Sequence, residues 1–312
     1  MVEVWSRIRA ELGRRVQKTD TAYRTNLLEM FNANLERVWR KYLWRQSIAF
    51  DEVVTTVAAS EWLYLPKTVE EVLILTDRVN DTILLPQHVQ VLMRKYLDTI
   101  ETQSIARRYT HAGEYGVNVQ PSVSALVEVR SNAQCDGSQT IRIWGISGGN
   151  MLTEAIALNS LTWVASVNAY TEIHRVSKSA TTNGVVTIRE QTANTTLSVI
   201  SPWEYIPRYP RIRLHEVPDS ADTLYLTYKK RFIRIVNDED VVELPVVPVL
   251  MDLTYADALR EQRQFQKAQI VEQRARADLQ DFIQEQSMQG DTFEQSLPDV
   301  PMLDIDRPAF TE

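Results

Sequence analysis

Residues 211–231 read RIRLHEVPDSADTLYLTYKKR, and this stretch decides the fold that the sequence predicts. Apolar and polar side chains alternate over residues 211–215, and residues 224–228 contain aromatic and β-branched residues, so both runs predict β-strands. Pro218 and Asp219, between the two runs, are typical turn residues. The stretch therefore predicts two neighbouring strands joined by a turn.

The chain before this stretch begins with helical periodicity. Apolar residues recur every four positions from Val4 to Val16, and a second stripe runs from Tyr23 to Tyr42. These stripes predict two consecutive amphipathic helices. Short runs rich in aromatic and β-branched residues follow, of which residues 62–66, WLYLP, are the clearest, and they predict short strands. Residues 88–97 predict a short helix.

Residues 122–205 have an all-β pattern. Apolar residues alternate with polar ones over 126–130, 141–144 and 186–188, and Asn183-Gly184 is the strongest hairpin signal. Short strands with turns at intervals of about 8–12 residues are typical of a sandwich or barrel. We expect an inserted, antiparallel, β-sandwich-like domain here, either immunoglobulin-like or jelly-roll.

The C-terminal part of the sequence predicts one long helix and then a tail. Helical spacing of apolar residues begins near Val249 and continues to Phe282, with charges of both signs on the other face. Residues 289–312 are polar, acidic and interrupted by prolines, so they cannot form a core alone. We expect them to be an extended acidic C-terminal tail.

The predicted fold class is therefore α+β. Residues 1–121 and 206–288 are expected to form a mainly helical body with short strands, into which the β-domain of residues 122–205 is inserted. The composition fits a globular chain, because 44% of the residues are hydrophobic and 24% are charged.

Charge and cysteine content exclude several classes of protein. The net charge of −7 argues against a dedicated nucleic-acid binder, and the single cysteine, Cys135, excludes an intrachain disulfide. No apolar run approaches the ~18 residues of a membrane span, and the N-terminus does not resemble a signal peptide. We expect a soluble protein that is made in the cytosol. Residues 6–45 are basic and residues 285–312 acidic, which suggests that one end contacts the other or a neighbouring subunit, or that both are solvated surfaces.

No motif in the sequence predicts catalysis, a metal or an organic cofactor. The four histidines are well separated, and residues 145–149, GISGG, lack the Gly-Lys-Ser/Thr ending of a phosphate loop. Residues 237–240, NDED, could bind a hard cation, but a solvated turn before a helix is the favoured interpretation. We therefore expect that the protein is not an enzyme.

The order of the parts resembles the head-to-tail adaptor proteins of tailed bacteriophages, also called neck or connector proteins. The resemblance is carried by WLYLP at 62–66, by the run from Pro218 to Arg231, and by Glu243-Leu244-Pro245 before the C-terminal helix. It covers residues 1–115 and 206–285. The inserted β-domain departs from the compact pattern of that family.

This resemblance implies a structural virion protein that forms a homo-oligomeric ring, commonly a dodecamer, between portal and tail. The implied partners are other copies of the chain, the portal protein and a tail or nozzle protein. Genomic DNA would pass through the lumen without specific binding. The implied location is the neck of the virion, after assembly in the host cytoplasm.

Apolar side chains near the C-terminus are the predicted partner-docking residues. They are too numerous for a purely solubilising tail, yet too scattered among prolines and acids to form a core. We expect them to dock onto another subunit or a portal-like partner. They are Phe282, Ile283, Phe293, Leu297, Met302, Leu303, Ile305 and Phe310.

Two other functions remain open on the sequence alone. The β-domain could be a carbohydrate-binding or host-surface-binding module, with Trp144, Trp163 and Trp203 in contact with a glycan. The chain could also be an enzyme with a pair of dispersed carboxylates, as in a glycosidase. No pair among the carboxylates is distinguished by its spacing, so this possibility ranks last.

Overall fold

The computed structural model describes residues 3–17, 21–91 and 104–294. The chain divides into two compact units, a helical unit of Met1–Gln46 with Phe232–Glu312 and a β unit of Ser47–Arg231. Strands make up 38% of the chain and helices only 27%. The prediction of a mainly helical body is therefore wrong.

The helices whose bounds the structure gives in full all belong to the helical unit, and residues 89–91 of the β unit are also helical, at the edge of the described residues. In chain order they are α1 (Trp5–Val16), α2 (Thr21–Lys41), α3 (Val247–Glu261) and α4 (Phe265–Glu294). The strands are β1 (Glu3–Val4), β2 (Ile48–Thr55), β3 (Trp62–Tyr64), β4 (Val69–Asp77), β5 (Thr82–Pro86), β6 (Arg108–Tyr115), β7 (Ala125–Ser131), β8 (Thr140–Ser147), β9 (Asn150–Ala157), β10 (Val164–Tyr170), β11 (Glu172–Lys178), β12 (Val186–Glu190), β13 (Thr196–Ile200), β14 (Tyr209–His215), β15 (Thr223–Lys230) and β16 (Val241–Val242).

The helical unit has a core of its own. The apolar stripe of α1 is buried, and the ring of Trp5 lies 4.9 Å from that of Phe31 on α2. Helix α3 is buried along much of its length and packs against α4. Strands β1 and β16 form a small antiparallel pair. The two N-terminal helices are thus where the periodicity predicts them.

The prediction of a single long helix near the C-terminus is wrong, because two helices, α3 and α4, occupy this part of the chain. Arg263 adopts a left-handed conformation, with φ 61°. Around it, Gln264 N donates to Leu259 O at 2.9 Å, and Gln262 N donates to Ala258 O at 3.2 Å. These bonds close α3 in the way that a helix C-cap usually does, but without the glycine that would mark it in a sequence.

The β unit contains a curled seven-stranded sheet in the order β2-β15-β4-β5-β6-β14-β3. Strands β5 and β6 are parallel, and every other neighbouring pair is antiparallel. One face of this sheet forms a core with Leu75, Leu84, Tyr109, Ile212 and Leu226 among its buried residues. These strands therefore form a large sheet of their own, which is why the body is not mainly helical.

The strand pair predicted from residues 211–231 does not form. Strand β14 pairs with β6 and β3, whereas β15 pairs with β2 and β4. Both strands exist, but the turn at Pro218-Asp219 connects positions in the sheet that are far apart. Local turn chemistry predicted neighbours, and pairing with strands distant in sequence overrides it.

Strands β7–β13 form a sandwich of two antiparallel sheets, ordered β10-β7-β12-β13 and β11-β8-β9. Both sheets contribute to one buried core, for example Val129 and Ile188 from the first and Ile143 and Val176 from the second. The strand order is neither the ABED/CFG order of an immunoglobulin constant domain nor that of an eight-stranded jelly roll.

Two turns of the sandwich have different roles, and only the second differs from its sequence signal. Gly148 and Gly149 form the tight hairpin between β8 and β9, and both have positive φ, 56° and 81°. Asn183-Gly184, the stronger hairpin signal, instead connects β11 to β12, which lie in different sheets. A Cβ atom on Gly184 would lie 2.3 Å from Asn132 Oδ1, so the glycine is needed for close packing.

Candidate interaction surfaces

The second face of the seven-stranded sheet is unusually apolar for a surface. Val53, Tyr225, Thr76 and Ile83 lie opposite one another across four neighbouring strands. The apolar side chains of this face are largely exposed, with 56% of Val53 and 62% of Ile83 accessible. We define the outer apolar face as Phe50, Val53, Ile74, Ile83 and Leu85.

The outer apolar face reaches the edge of the sheet, because β2 is an edge strand. Asp51 there has a positive φ of 56°, and the pairing register of β2 shifts nearby. Arg78 forms an ion pair with Asp51 and lies 4.0 Å above the ring of Tyr225. Contiguous exposed apolar surface rimmed by polar groups is typical of an interaction site.

Sequence reasoning missed this face, although a signal for it was present. Residues 72–75, VLIL, and 83–85, ILL, are continuous apolar runs without alternation. Such runs indicate a strand with apolar side chains on both faces. Taken one at a time these runs predict only short strands, and the second apolar face becomes apparent when β4 and β5 pair.

A buried polar cluster joins the connections between the two sheets of the sandwich. Asp136 is fully buried, and its carboxylate accepts hydrogen bonds from Ser131 Oγ at 2.5 Å, Asn183 N at 2.8 Å and Gly184 N at 2.9 Å. Burial by itself would raise the pKa of Asp136, but these three hydrogen bonds and the charge of Lys178 outweigh it and lower the pKa.

Lys178 completes this cluster from β11. Its ammonium donates to Thr182 Oγ1 at 2.8 Å and to the carbonyl oxygens of Ser201 and Pro202 at 2.9 and 2.6 Å. Burial lowers the pKa of Lys178, although Asp136 partly offsets the shift. All of these groups have partners within the sandwich, so the cluster stabilises the fold and offers no free group for chemistry.

A pocket of about 300 Å³ lies where the sandwich meets the seven-stranded sheet. Its lining includes Glu114, Tyr115, His174, Arg175 and Arg208. Glu114 already forms ion pairs with Arg231 at 2.7 Å and Arg208 at 3.7 Å.

Aromatic and amide groups hold this junction together. The guanidinium of Arg211 lies between the rings of Trp62 and Tyr115, at 3.8 and 3.9 Å. The side-chain amide of Gln120 accepts from Ile173 N at 2.8 Å and donates to Ile173 O at 2.9 Å. These contacts therefore connect the seven-stranded sheet to the sandwich within the β unit.

The three tryptophans suggested as a glycan surface do not lie together. Trp144 projects from the outer face of the β11-β8-β9 sheet, between Arg142 and Arg175. Trp163 packs between Arg130 and Arg189 on the outer face of the other sheet, which is the opposite side of the sandwich. Trp203 lies in the segment after β13 and is 55% exposed. A shared tryptophan platform is thus not formed.

The predicted partner-docking residues are only partly described. Phe282 and Ile283 on α4 are partly buried and pack against the core of the helical unit. Phe293 belongs to α4, and its side chain is outside the described part. Leu297, Met302, Leu303, Ile305 and Phe310 lie outside the described residues. The structure therefore brings only the first two together.

The other candidate groups have structural partners. In the basic N-terminal helix, Arg9 and Arg15 form ion pairs with Asp238 and Asp252. Asp240 accepts from the backbone N–H groups of residues 236 and 237, both at 2.7 Å, as a turn residue does. Cys135 is exposed, and its Sγ accepts a hydrogen bond from Asn183 Nδ2 at 2.9 Å.

Two further findings concern the described residues as a whole. Within residues 3–17, 21–91 and 104–294, no three His, Cys, Asp or Glu side chains are grouped so that they could hold a metal ion. In the same ranges no helix is both long enough and apolar enough to cross a membrane. No protein-family model matches this sequence, and no curated protein matches it.

Proposed function

We propose that the chain is a structural assembly protein that associates with copies of itself through the outer apolar face. The observation that carries this proposal is the pair of apolar faces on one sheet. One face forms the buried core that includes Leu75 and Leu84, while the other presents Ile74 and Ile83 to solvent. An apolar face of this kind is stabilised when a partner covers it.

The energetics favour association over a purely solvated face. Fully burying an exposed Val, Ile, Leu or Phe side chain contributes about 1.5–3 kcal/mol, so covering these five half-exposed side chains offsets a large part of the cost of association. Arg78 and Asp51, charged residues beside this face, pair with each other. A partner surface that is itself apolar, such as one on another copy, is the best match.

A ring is the closed assembly that we propose. Such a ring needs a heterologous contact, in which this face meets a different surface of the next copy. Among ring-forming proteins, we propose a head-to-tail adaptor of a tailed bacteriophage, located in the virion neck. The support is the order of the segments 62–66, 218–231 and 243–245. The portal, a tail or nozzle protein, and DNA that passes through the lumen are the partners in this proposal.

Sedimentation of the full-length protein tests the proposal. We expect the wild type to sediment as a ring-sized multimer of the 35.9-kDa chain, with a dodecamer as the expected stoichiometry. Combining Val53→Lys with Ile83→Lys places two charges on the outer apolar face and should give monomers. Val167→Lys is the matched control, because Val167 is 86% exposed on β10, away from this face. A monomeric wild type, or a double variant that still assembles fully, would refute the proposal.

A further inference from the structure

We propose that the outer face of the β11-β8-β9 sheet binds the acidic C-terminal segment, residues 300–306, of a second copy of this chain. The inference concerns a different surface from the outer apolar face. It depends on the proposed function only in that copies of the chain must meet. The site consists of Arg142, Trp144, Ile146, Met151 and Arg175.

Two arginines on this face have their charges free of carboxylate partners. The guanidinium carbons of Arg142 and Arg175 lie 5.8 and 5.3 Å from the ring centre of Trp144. Both side chains are exposed, and among the described residues neither has a carboxylate within ion-pair distance. Arginine stacked on an aromatic ring keeps its N–H groups available for bidentate bonds to a carboxylate.

Trp163, in the other sheet of the sandwich, also lies between two arginines, and there the arginine charge is paired within the chain. At Trp163, Arg189 donates from Nε and Nη2 to Glu128, at 2.9 and 2.8 Å. Arg130 covers the same ring at 4.5 Å, and both arginines are half-buried. That stack contains its own carboxylate. Trp144 also has two arginines beside it, at longer distances, but no carboxylate in the described part of the chain pairs with them, so a carboxylate from another molecule would complete the arrangement.

The face also has an apolar end. Along β8 the outward positions are Ile146, Trp144 and Arg142, since residues two apart share a face. Met151 on β9 lies directly opposite Ile146 and is 65% exposed. The outward side of the sheet therefore changes from apolar at one end to cationic at the other.

Residues 300–306, VPMLDID, have the complementary pattern. In an extended chain Val300, Met302, Asp304 and Asp306 share one side, with alternate side chains about 7 Å apart. Two apolar residues are thus followed by two carboxylates. Laid along β8, Val300 and Met302 would contact Ile146 and Met151. The carboxylates would then reach the two arginines that flank Trp144.

This pattern favours an acidic peptide over a nucleic acid. A phosphate backbone would use the cationic end of the face but leave Met151 and Ile146 uncovered. Only a ligand with apolar groups beside its carboxylates uses the whole surface.

Photocrosslinking in the full-length chain tests the site. With p-benzoylphenylalanine in place of Met302, we expect crosslinks between two copies that map to β8 or β9 near Ile146 and Met151. Arg142→Gln combined with Arg175→Gln should lower the yield about five- to tenfold, the effect of losing two exposed ion pairs. Asp304→Asn combined with Asp306→Asn should lower it similarly from the other side.

Arg130→Gln is the matched control, since it removes an arginine from the other tryptophan stack, and it should leave the yield within about twofold. Thermal unfolding should show that each of these surface variants remains folded. Crosslinks that map elsewhere, that form only within one chain, or that ignore both double variants would overturn the inference.

A peptide experiment separates this inference from the ring. If the wild type sediments as a monomer, the ring proposal fails. Capture of a labelled peptide of residues 296–312 by the full-length protein, weakened in the double arginine variant, would still support the site. Absence of peptide binding, or equal binding of a polyglutamate peptide, would overturn it.

Discussion

The sandwich and the seven-stranded sheet are both β-structures within one unit, yet the kinds of residue exposed on their outer surfaces differ. Outward positions in the middle of strands β7 and β12 of the sandwich are polar or charged, as at Glu128, Arg130, Thr187 and Arg189. Outward positions of the seven-stranded sheet are apolar across β2, β4 and β5. The sandwich buries apolar residues between its two sheets, whereas the larger sheet has a second apolar face that is exposed.

This difference assigns separate roles to the two regions. In the sandwich, inward apolar residues and the buried cluster around Asp136 hold two sheets together. In the larger sheet, two successive residues of β5 lie on opposite faces, because Leu84 is buried in the core and Ile83 is exposed. Substitutions on opposite faces of one strand should therefore differ in their effect on stability.

The largest expected effect comes from the buried face of the larger sheet. Leu84→Ala should lower the free energy of unfolding by about 2–5 kcal/mol, because it leaves a cavity at a position that is 1% exposed. The neighbouring Ile83→Ala should change it by no more than about 0.5 kcal/mol. Urea unfolding of dilute protein measures both. Equal effects would mean that the two faces of β5 do not differ.

The next effect concerns the sandwich. Asp136→Asn should lower its free energy of unfolding by about 2–3 kcal/mol, because hydrogen bonds to a buried charged acceptor are lost or weakened. Asp219→Asn, at an exposed turn residue, is the control and should be neutral. Unfolding followed by tryptophan fluorescence reports the change. A neutral Asp136→Asn would show that the cluster does not hold the sheets together.

The same carboxyl gives this stability a pH dependence. The pKa of Asp136 in the folded state is below its ordinary value of 3.8, so the folded state favours the ionised form. Its contribution is complete above the unfolded pKa and is lost as the pH falls below that value through the folded pKa. Asp136→Asn should therefore lose less stability than the wild type on acidification. A parallel loss in both proteins would contradict this assignment.

How far the sequence predicts this fold depends on the range of the interaction. Helices α1 and α2 follow from local four-residue periodicity, which requires nothing from distant parts of the chain. The hairpin at Gly148-Gly149 is also local, since its glycines supply the positive φ that the turn needs. Strand β6 was not predicted at all, because YTHAGEY lacks a regular apolar alternation.

Pairing between distant strands could not be read from local patterns. Strands β14 and β15 were correctly located but wrongly paired, because their partners lie more than 80 residues away in the sequence. The break at Arg263 has no glycine or proline to mark it. The outer apolar face was in principle accessible through the runs in β4 and β5, but only pairing shows that they form one surface.

The reactivity of a thiol on the outer apolar face tests directly whether this face joins copies of the chain. Ile83→Cys places a thiol there, and the exposed native Cys135 in the sandwich serves as an internal control. Maleimide labelling is measured by mass spectrometry on the assembled fraction and on protein diluted to monomers. We predict that assembly slows labelling at position 83 at least about tenfold, as expected for a contact that excludes solvent, while Cys135 reacts equally in both states. Equal labelling at position 83 in assembled and dissociated protein would contradict the claim that this face joins the copies.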